Sequence, residues 1–125
     1  MKKIMSVRGK DFQKMTLFDE AITFETFDDN HKPETNTVML NTVKNVTLED
    51  GEALESRVTM TRMLLVGLFA FGWKKKTGGT KFLTVEGSAK LGGDYFFAME
   101  VKREHVAEAQ RFVMRAKSAV ASYRG

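Results

Sequence analysis

The chain has 125 residues, of which 42% are hydrophobic and 29% are charged, so it can bury one core and is too apolar to be disordered. Its formal net charge of +4 permits an anionic partner without indicating one. The absence of cysteine excludes disulfides, thiolate nucleophiles and thiolate metal sites. This composition predicts a single globular domain.

The N-terminal residues do not have the pattern of a secretory signal. They begin with a basic pair, but only Ile4, Met5 and Val7 are apolar before Arg8, so the apolar core of a secretory signal is missing. We predict an N-terminal arm over residues 1–11, a single domain over residues 12–125, and a cytoplasmic location.

Most of the chain shows the two-residue apolar period of β-strands, interrupted by residues that favour turns. Met15 and Leu17 share one face of the first such segment. Residues 43–49 have the same period and lead into a turn at 49–52. The predicted strands cover residues 12–18, 21–27, 37–41, 58–66, 68–76, 81–87 and 95–101. Short strands at this spacing are typical of a sandwich or barrel.

An uncharged run, "MLLVGLFAFGW" at residues 63–73, precedes three lysines. A membrane-spanning helix needs about 20 apolar residues, so this run is too short to cross a bilayer as a helix. Gly67 and Gly72 have the spacing of a phosphate loop, but Trp73 stands where that loop carries lysine. We interpret the region as two hairpins, which turn at Gly67 and at residues 76–80.

The last segment has a different period. From residue 103 to residue 123, apolar side chains recur at spacings of three and four, which predicts an amphipathic helix. Glu104 and Glu108 lie early and Lys117 and Arg124 lie late, as the helix dipole favours. One helix after seven strands is expected to plug the open end of a barrel.

The stretch "SRVTMTRMLLVGLFAFGWKKKTGGTKFLTVEG", followed by "YFFAMEV" and a basic amphipathic helix, resembles bacterial and phage-borne pleckstrin-homology-like (PH-like) proteins. The resemblance covers residues 12–124 and is most specific over residues 57–87. It implies a mainly β fold, a seven-stranded antiparallel barrel capped by a C-terminal amphipathic helix. A small antiparallel barrel of another topology, such as an OB-like one, is the alternative.

The resemblance also implies a kind of function. PH-like domains are usually non-enzymatic binding modules, so the expected activity is docking a protein partner or self-association, in a bacterial or phage-encoded protein. The phosphoinositide binders of this superfamily place basic residues around the first strand–strand loop. We identify that loop as Asp19 and Glu20, with only Lys14 nearby, which argues against a phosphoinositide-type site.

Catalytic chemistry is not indicated, because no motif joins His31 or His105 to a nucleophile or an acid. We therefore predict no catalytic residue, no cofactor and no metal. The alternative function is binding of an anionic small molecule, nucleic acid or membrane surface by a lysine group beside the "TGG" segment. That group is Lys74, Lys75, Lys76 and Lys81. The competing interpretation is that lysines at strand ends keep sheet edges soluble.

A protein interface is predicted from aromatic residues at the outward-facing positions of their strands, which alternate with the inward-facing ones. These are Phe18, Phe27 and Phe96, and they are expected to be exposed as a group. Local twist or a β-bulge is the alternative for them. Arg111 and Arg115 on the helix are further interface candidates, or simply part of its solvated face.

Overall fold

In the computed structural model, the chain forms two β-sheets and one C-terminal helix. The structure describes residues 1–27, 30, 32–51, 53, 64–66, 81–89 and 93–124. The strands are β1 (Lys3–Arg8), β2 (Lys14–Phe18), β3 (Ala21–Phe27), β4 (Pro33–Met39), β5 (Val43–Asp50), β6 (Leu64–Val66), β7 (Lys81–Ala89) and β8 (Gly93–Val101), and the helix is α1 (Val106–Arg124). Short 3-10 turns lie at Lys10–Phe12, Leu40–Thr42 and Arg103–His105.

The first sheet is a simple antiparallel meander in the order β1–β2–β3–β4. Its alternating side chains follow the period of the sequence: Met15 pairs with Phe24 and Leu17 pairs with Ile22, and all four are buried. Because each strand pairs with its neighbour in the chain, short turns are enough to build this sheet.

The second sheet has the order β5–β7–β8–β6. β5, β7 and β8 are antiparallel, whereas β6 runs parallel to β8 and pairs Leu65 with Phe96. β6 lies within the strand predicted over residues 58–66, and its parallel pairing with β8 is not the antiparallel arrangement expected of a barrel. The other predicted hairpin segments before β7, at residues 58–63 and 67–80, lie outside the described residues.

One hydrophobic core joins both sheets and the helix. The first sheet contributes residues such as Val7 and Phe24, the second sheet contributes Leu83 and Met99, and the helix contributes Phe112. All five are fully buried. The predicted C-terminal amphipathic helix is therefore confirmed, although its apolar face packs on the core between two sheets instead of plugging a barrel.

The prediction of a closed seven-stranded barrel is wrong. Among the described residues, the strands form two separate sheets, and no strand pairing joins one sheet to the other. The chain leaves β4 through the turn at Leu40–Thr42, and β5 then pairs with β7 instead of with β4. The fold is mainly β, with two sheets and one helix packed on a shared core.

The N-terminal segment also differs from its prediction. Lys3–Arg8 forms β1, an edge strand of the first sheet, in place of an arm outside the domain. Val7 is fully buried, and β1 lies against α1. A register shift between Lys3 and Met5 breaks the two-residue period, so the sequence pattern does not show the strand.

Candidate functional site

The predicted anion-binding lysines are only partly placed. Lys81 is half-buried at the first position of β7, where it is in register with Asp50 and Val101. Lys74, Lys75 and Lys76 lie outside the described residues. Their grouping with Lys81 stays a prediction.

The predicted interface aromatics do not form one exposed group. Phe96 is 1% exposed, because the second sheet is buried on both faces at this point. Phe18 and Phe27 are half-buried, at the ends of β2 and β3 respectively, and the antiparallel pairing of these strands places them at opposite ends of the sheet. Arg111 and Arg115 are exposed on α1, as expected for either interpretation of them.

A different set of residues surrounds a cavity of about 500 Å³ between the β1–β2 loop and the segment that leads into α1. We call it the loop pocket. It is lined by Arg8, Gly9, Lys10, Phe12, Gln13, Lys102 and His105. Its volume lies within the usual range of small-molecule sites, about 300–1,000 Å³.

Gly9 brings the two sides of this pocket together. A Cβ atom at Gly9 would lie 2.8 Å from the carbonyl oxygen of Glu100 and would also collide with the side chain of Met99. The Gly9 N–H donates to the Gln13 carbonyl over 2.8 Å, which closes the loop. Only glycine lets the loop lie this close to β8, and the close approach places Arg8 near Lys102.

The loop pocket is basic. Among the side chains that the structure describes, which do not include that of Asp11 in the same loop, those of Arg8, Lys10 and Lys102 line it and no acidic one does. The Lys10 ammonium lies 3.9 Å from a Glu100 carboxylate oxygen, a partly exposed pair of small energetic value. Among the described residues, no ion pair engages Arg8 or Lys102. Two cations are therefore available to an anion that enters the pocket.

Two polar side chains of the loop pocket lack hydrogen-bond partners. Gln13 is 6% exposed, and the described part of the chain gives its side-chain amide no hydrogen bond. Nδ1 of His105 is buried and has no partner among the same residues, since the Glu108 carboxylate oxygen is 4.0 Å away. Buried polar groups are normally satisfied, so the Nδ1 atom of His105 is an exception, whereas the amide atoms of Gln13 are not fully shielded from solvent.

Phe12 is the most unusual residue of the loop. Its φ of 63° lies in the left-handed region, which costs a residue with a Cβ about 1–2 kcal/mol. Its side chain is nevertheless 86% exposed. The ring contacts Phe27 edge to face, with centroids 6.3 Å apart, and leaves most of its surface to solvent. Backbone strain of this kind is concentrated at functional sites.

The structure corrects the identification of the first strand–strand loop. Because Lys3–Arg8 is a strand, the first loop is the segment from Gly9 to Gln13, and Asp19 and Glu20 form the second. The first loop is flanked by Arg8 and contains Lys10. The argument against a phosphoinositide-type site, which relies on an acidic first loop, therefore loses its premise.

A second cavity, of about 360 Å³, lies between the end of β4 and the β7–β8 hairpin. The Thr42 hydroxyl donates to the Met39 carbonyl over 2.7 Å, so the Tyr95 hydroxyl is the donor in its 2.8 Å bond to Thr42. This pair ties the turn between β4 and β5 to β8. Met39, 41% exposed, lies at the mouth of the cavity.

The chain matches no known protein-family model, no curated protein and no solved structure. The resemblance to PH-like proteins therefore stays a prediction. Within the described ranges, no helix has both the length and the apolar character that crossing a bilayer requires. The same residues contain no group of three or more histidine and acidic side chains that could hold a metal ion.

Proposed function

We propose that this protein is a non-enzymatic binding module that self-associates by pairing the β4 edges of two copies. The observation that carries the proposal is the outer edge of β4. Within the described part of the chain, β4 pairs with β3 along its full length and with no strand on its other side. An unpaired edge presents backbone N–H and C=O groups that a second strand can bind.

The side chains of β4 favour such pairing. After Pro33 and Glu34, the strand continues as "TNTVM" with no charge. Thr35, Thr37 and Met39 are exposed on one face. Natural edge strands usually carry charges or bulges that prevent edge-to-edge pairing, and opposed threonines stabilise a pair of strands.

The other long edges of the sheets are better protected. β1 carries charged residues at both ends, Lys3 and Arg8, and a register shift lies between Lys3 and Met5. β5 has a register shift between Val43 and Asn45, and α1 packs against it. The β4 edge is therefore the best site for strand addition among these three.

The occupant we propose is a second copy of the chain, since antiparallel pairing of two β4 edges gives a closed two-fold dimer. A single strand pair buries a small area, so the dimer is expected to be weak and dependent on concentration. Sedimentation velocity over about two orders of magnitude in protein concentration measures it directly.

Edge lysines provide the decisive variant. T35K/T37K places two cations on the exposed face of β4 and is expected to weaken dimerisation by about tenfold or more. The matched control, Q110K/S118K, adds the same charge at two exposed positions of α1 and is expected to leave the dimer unchanged. A protein that is monomeric at every concentration, or a dimer that tolerates both edge lysines, contradicts the proposal.

Anion binding is the second candidate function. Its basis in the sequence, the group of Lys74, Lys75, Lys76 and Lys81, stays a prediction. The specific observation that favours it is the loop pocket, where Arg8 and Lys102 have no ion pair among the described residues.

A further inference from the structure

We infer that the loop pocket binds a nucleotide, with the phosphate held by Arg8 and Lys102 and the base stacked on Phe12. The inference is independent of the proposed dimer, because no described residue of β4 lines this pocket. It joins three observations at one cavity: a pair of basic side chains, a largely buried glutamine whose amide has no hydrogen bond among the described residues, and a strained, exposed aromatic ring.

The basic side chains of the pocket indicate that the ligand carries a phosphate group. Arg8 and Lys102 come from the end of β1 and the residue that follows β8, and they line the same cavity. A guanidinium binds phosphate through two parallel N–H donors, and an ammonium adds a compact charge. Lys10 contributes a third cation, shared with Glu100 at 3.9 Å.

Gln13 favours a ligand that offers hydrogen-bond donors and acceptors in addition to its phosphate group. Only 6% of this residue is exposed, and it lines the pocket without a side-chain hydrogen bond among the described residues. A primary amide both donates and accepts, which matches the donor–acceptor edge of a nucleobase. Inorganic phosphate alone would leave the donor–acceptor pattern of this amide unused.

Phe12 selects a planar ring. The left-handed φ of 63° holds this side chain at the pocket, 86% exposed, with Phe27 as its edge-to-face neighbour. An exposed phenylalanine beside cations is the arrangement on which nucleobases stack. Burial of the open ring face by a base would also explain why so apolar a residue stays at the surface.

The same chemistry is present in a free nucleotide and in a single-stranded nucleic acid. Calorimetric titration of the full chain with AMP, adenosine, inorganic phosphate, an inositol phosphate and a short single-stranded oligonucleotide separates these sources. We expect AMP or the oligonucleotide to bind about tenfold or more tightly than adenosine and phosphate. The tighter of the two identifies the natural form of the ligand, and either result supports the inference.

Two variants test the roles of the residues. Phe12→Asn removes the ring but keeps a residue that tolerates a left-handed φ, so the loop is preserved. It should lower AMP affinity by about tenfold without changing the weak binding of phosphate. Lys102→Ala should weaken both ligands, whereas the control Arg115→Ala, exposed on α1, should change neither.

The NMR signals of the Gln13 side-chain amide provide a readout at the pocket itself, and they should shift on addition of AMP. The inference is overturned if neither AMP nor the oligonucleotide binds, if phosphate or the inositol phosphate binds more tightly than both, or if Phe12→Asn and Lys102→Ala leave binding intact. Because the β4 edge variants do not touch this pocket, a failed dimer test leaves this result unaffected.

Discussion

Gly87 lies on β7 against the Thr42 carbonyl group and the ring of Tyr95. A Cβ atom at this position would be 2.7 Å from Cζ of Tyr95 and still closer to the Thr42 carbonyl oxygen. The carbonyl belongs to the backbone, so it cannot swing aside as a flexible side chain could. A single methyl group at Gly87 would therefore push the Leu40–Thr42 turn, and with it the start of β5, away from β7.

We predict that Gly87→Ala lowers the free energy of unfolding by about 1–3 kcal/mol, the usual cost of overpacking a core. Urea denaturation measures the change. Gly93 supplies the control, since its φ is +74° and no heavy atom lies within 4 Å of the position that a Cβ would occupy. Gly93→Asn should change the stability by less than about 0.5 kcal/mol. Equal effects at the two glycines would contradict the prediction.

At the scale of elements, the edge strand β1 is where the structure differs from the predicted N-terminal arm. Val7 is fully buried, and burial of one valine side chain is worth about 1.5–3 kcal/mol. β1 also supplies backbone hydrogen bonds to β2 and a surface for α1. Loss of the whole strand removes all three contributions from a domain whose total stability is typically about 5–15 kcal/mol.

Deletion of residues 1–8 is therefore expected to lower the midpoint of thermal unfolding strongly or to prevent folding, as followed by far-UV circular dichroism. Removal of Met1 alone, a residue that is 66% exposed, should have little effect. A truncated chain that unfolds at the same temperature as the full chain would support the prediction that these residues form an arm outside the domain.

The sequence predicts some elements well and others poorly, for identifiable reasons. α1 is visible because Phe112 and its apolar neighbours repeat at helical spacing. The apolar period places the start of β4 at residue 37 instead of Pro33, since the first half of this strand is polar. Outward parity implies exposure only when one face of a sheet meets solvent, and the sheet around Phe96 is buried on both faces.

The loop pocket could not be predicted in the same way. Arg8, Gln13 and Lys102 are brought together by the packing of the first loop against β8, and that packing depends on a glycine whose importance shows only in three dimensions. The one local signal is the glycine at residue 9 between two basic residues, Arg8 and Lys10. The prediction of an arm places this glycine outside the domain, so it does not indicate a site there.

At the scale of the whole molecule, the shared core makes the two sheets and the helix interdependent. Both sheets contribute to a single core cluster, and α1 adds Ala109, Phe112 and Ala116 to it. Because the apolar side chains of each sheet pack against those of the other two layers, removing one layer exposes the rest. The molecule should consequently lose all three layers together.

We predict a single two-state transition in chemical denaturation, with coincident curves from far-UV circular dichroism and from the near-UV signal of the aromatic residues. The Phe112→Ala variant should shift both curves equally, by about 3–5 kcal/mol in stability. Its surface control, Met114→Ala, replaces a side chain that is 70% exposed and should shift neither. Two separated transitions would show that the sheets unfold independently.

The parallel pairing of β6 with β8 has a consequence for the order in which the chain folds. The meander of the first sheet and the β7–β8 hairpin need only short loops to close, so the entropy lost in forming them is small. β5 and β6 both precede β7 in the chain, yet β5 pairs with β7 and β6 pairs with β8. β5 can therefore attach only after β7 is made and β6 only after β8, and we expect these nonlocal attachments to be the slow step of folding, to be followed by stopped-flow refolding.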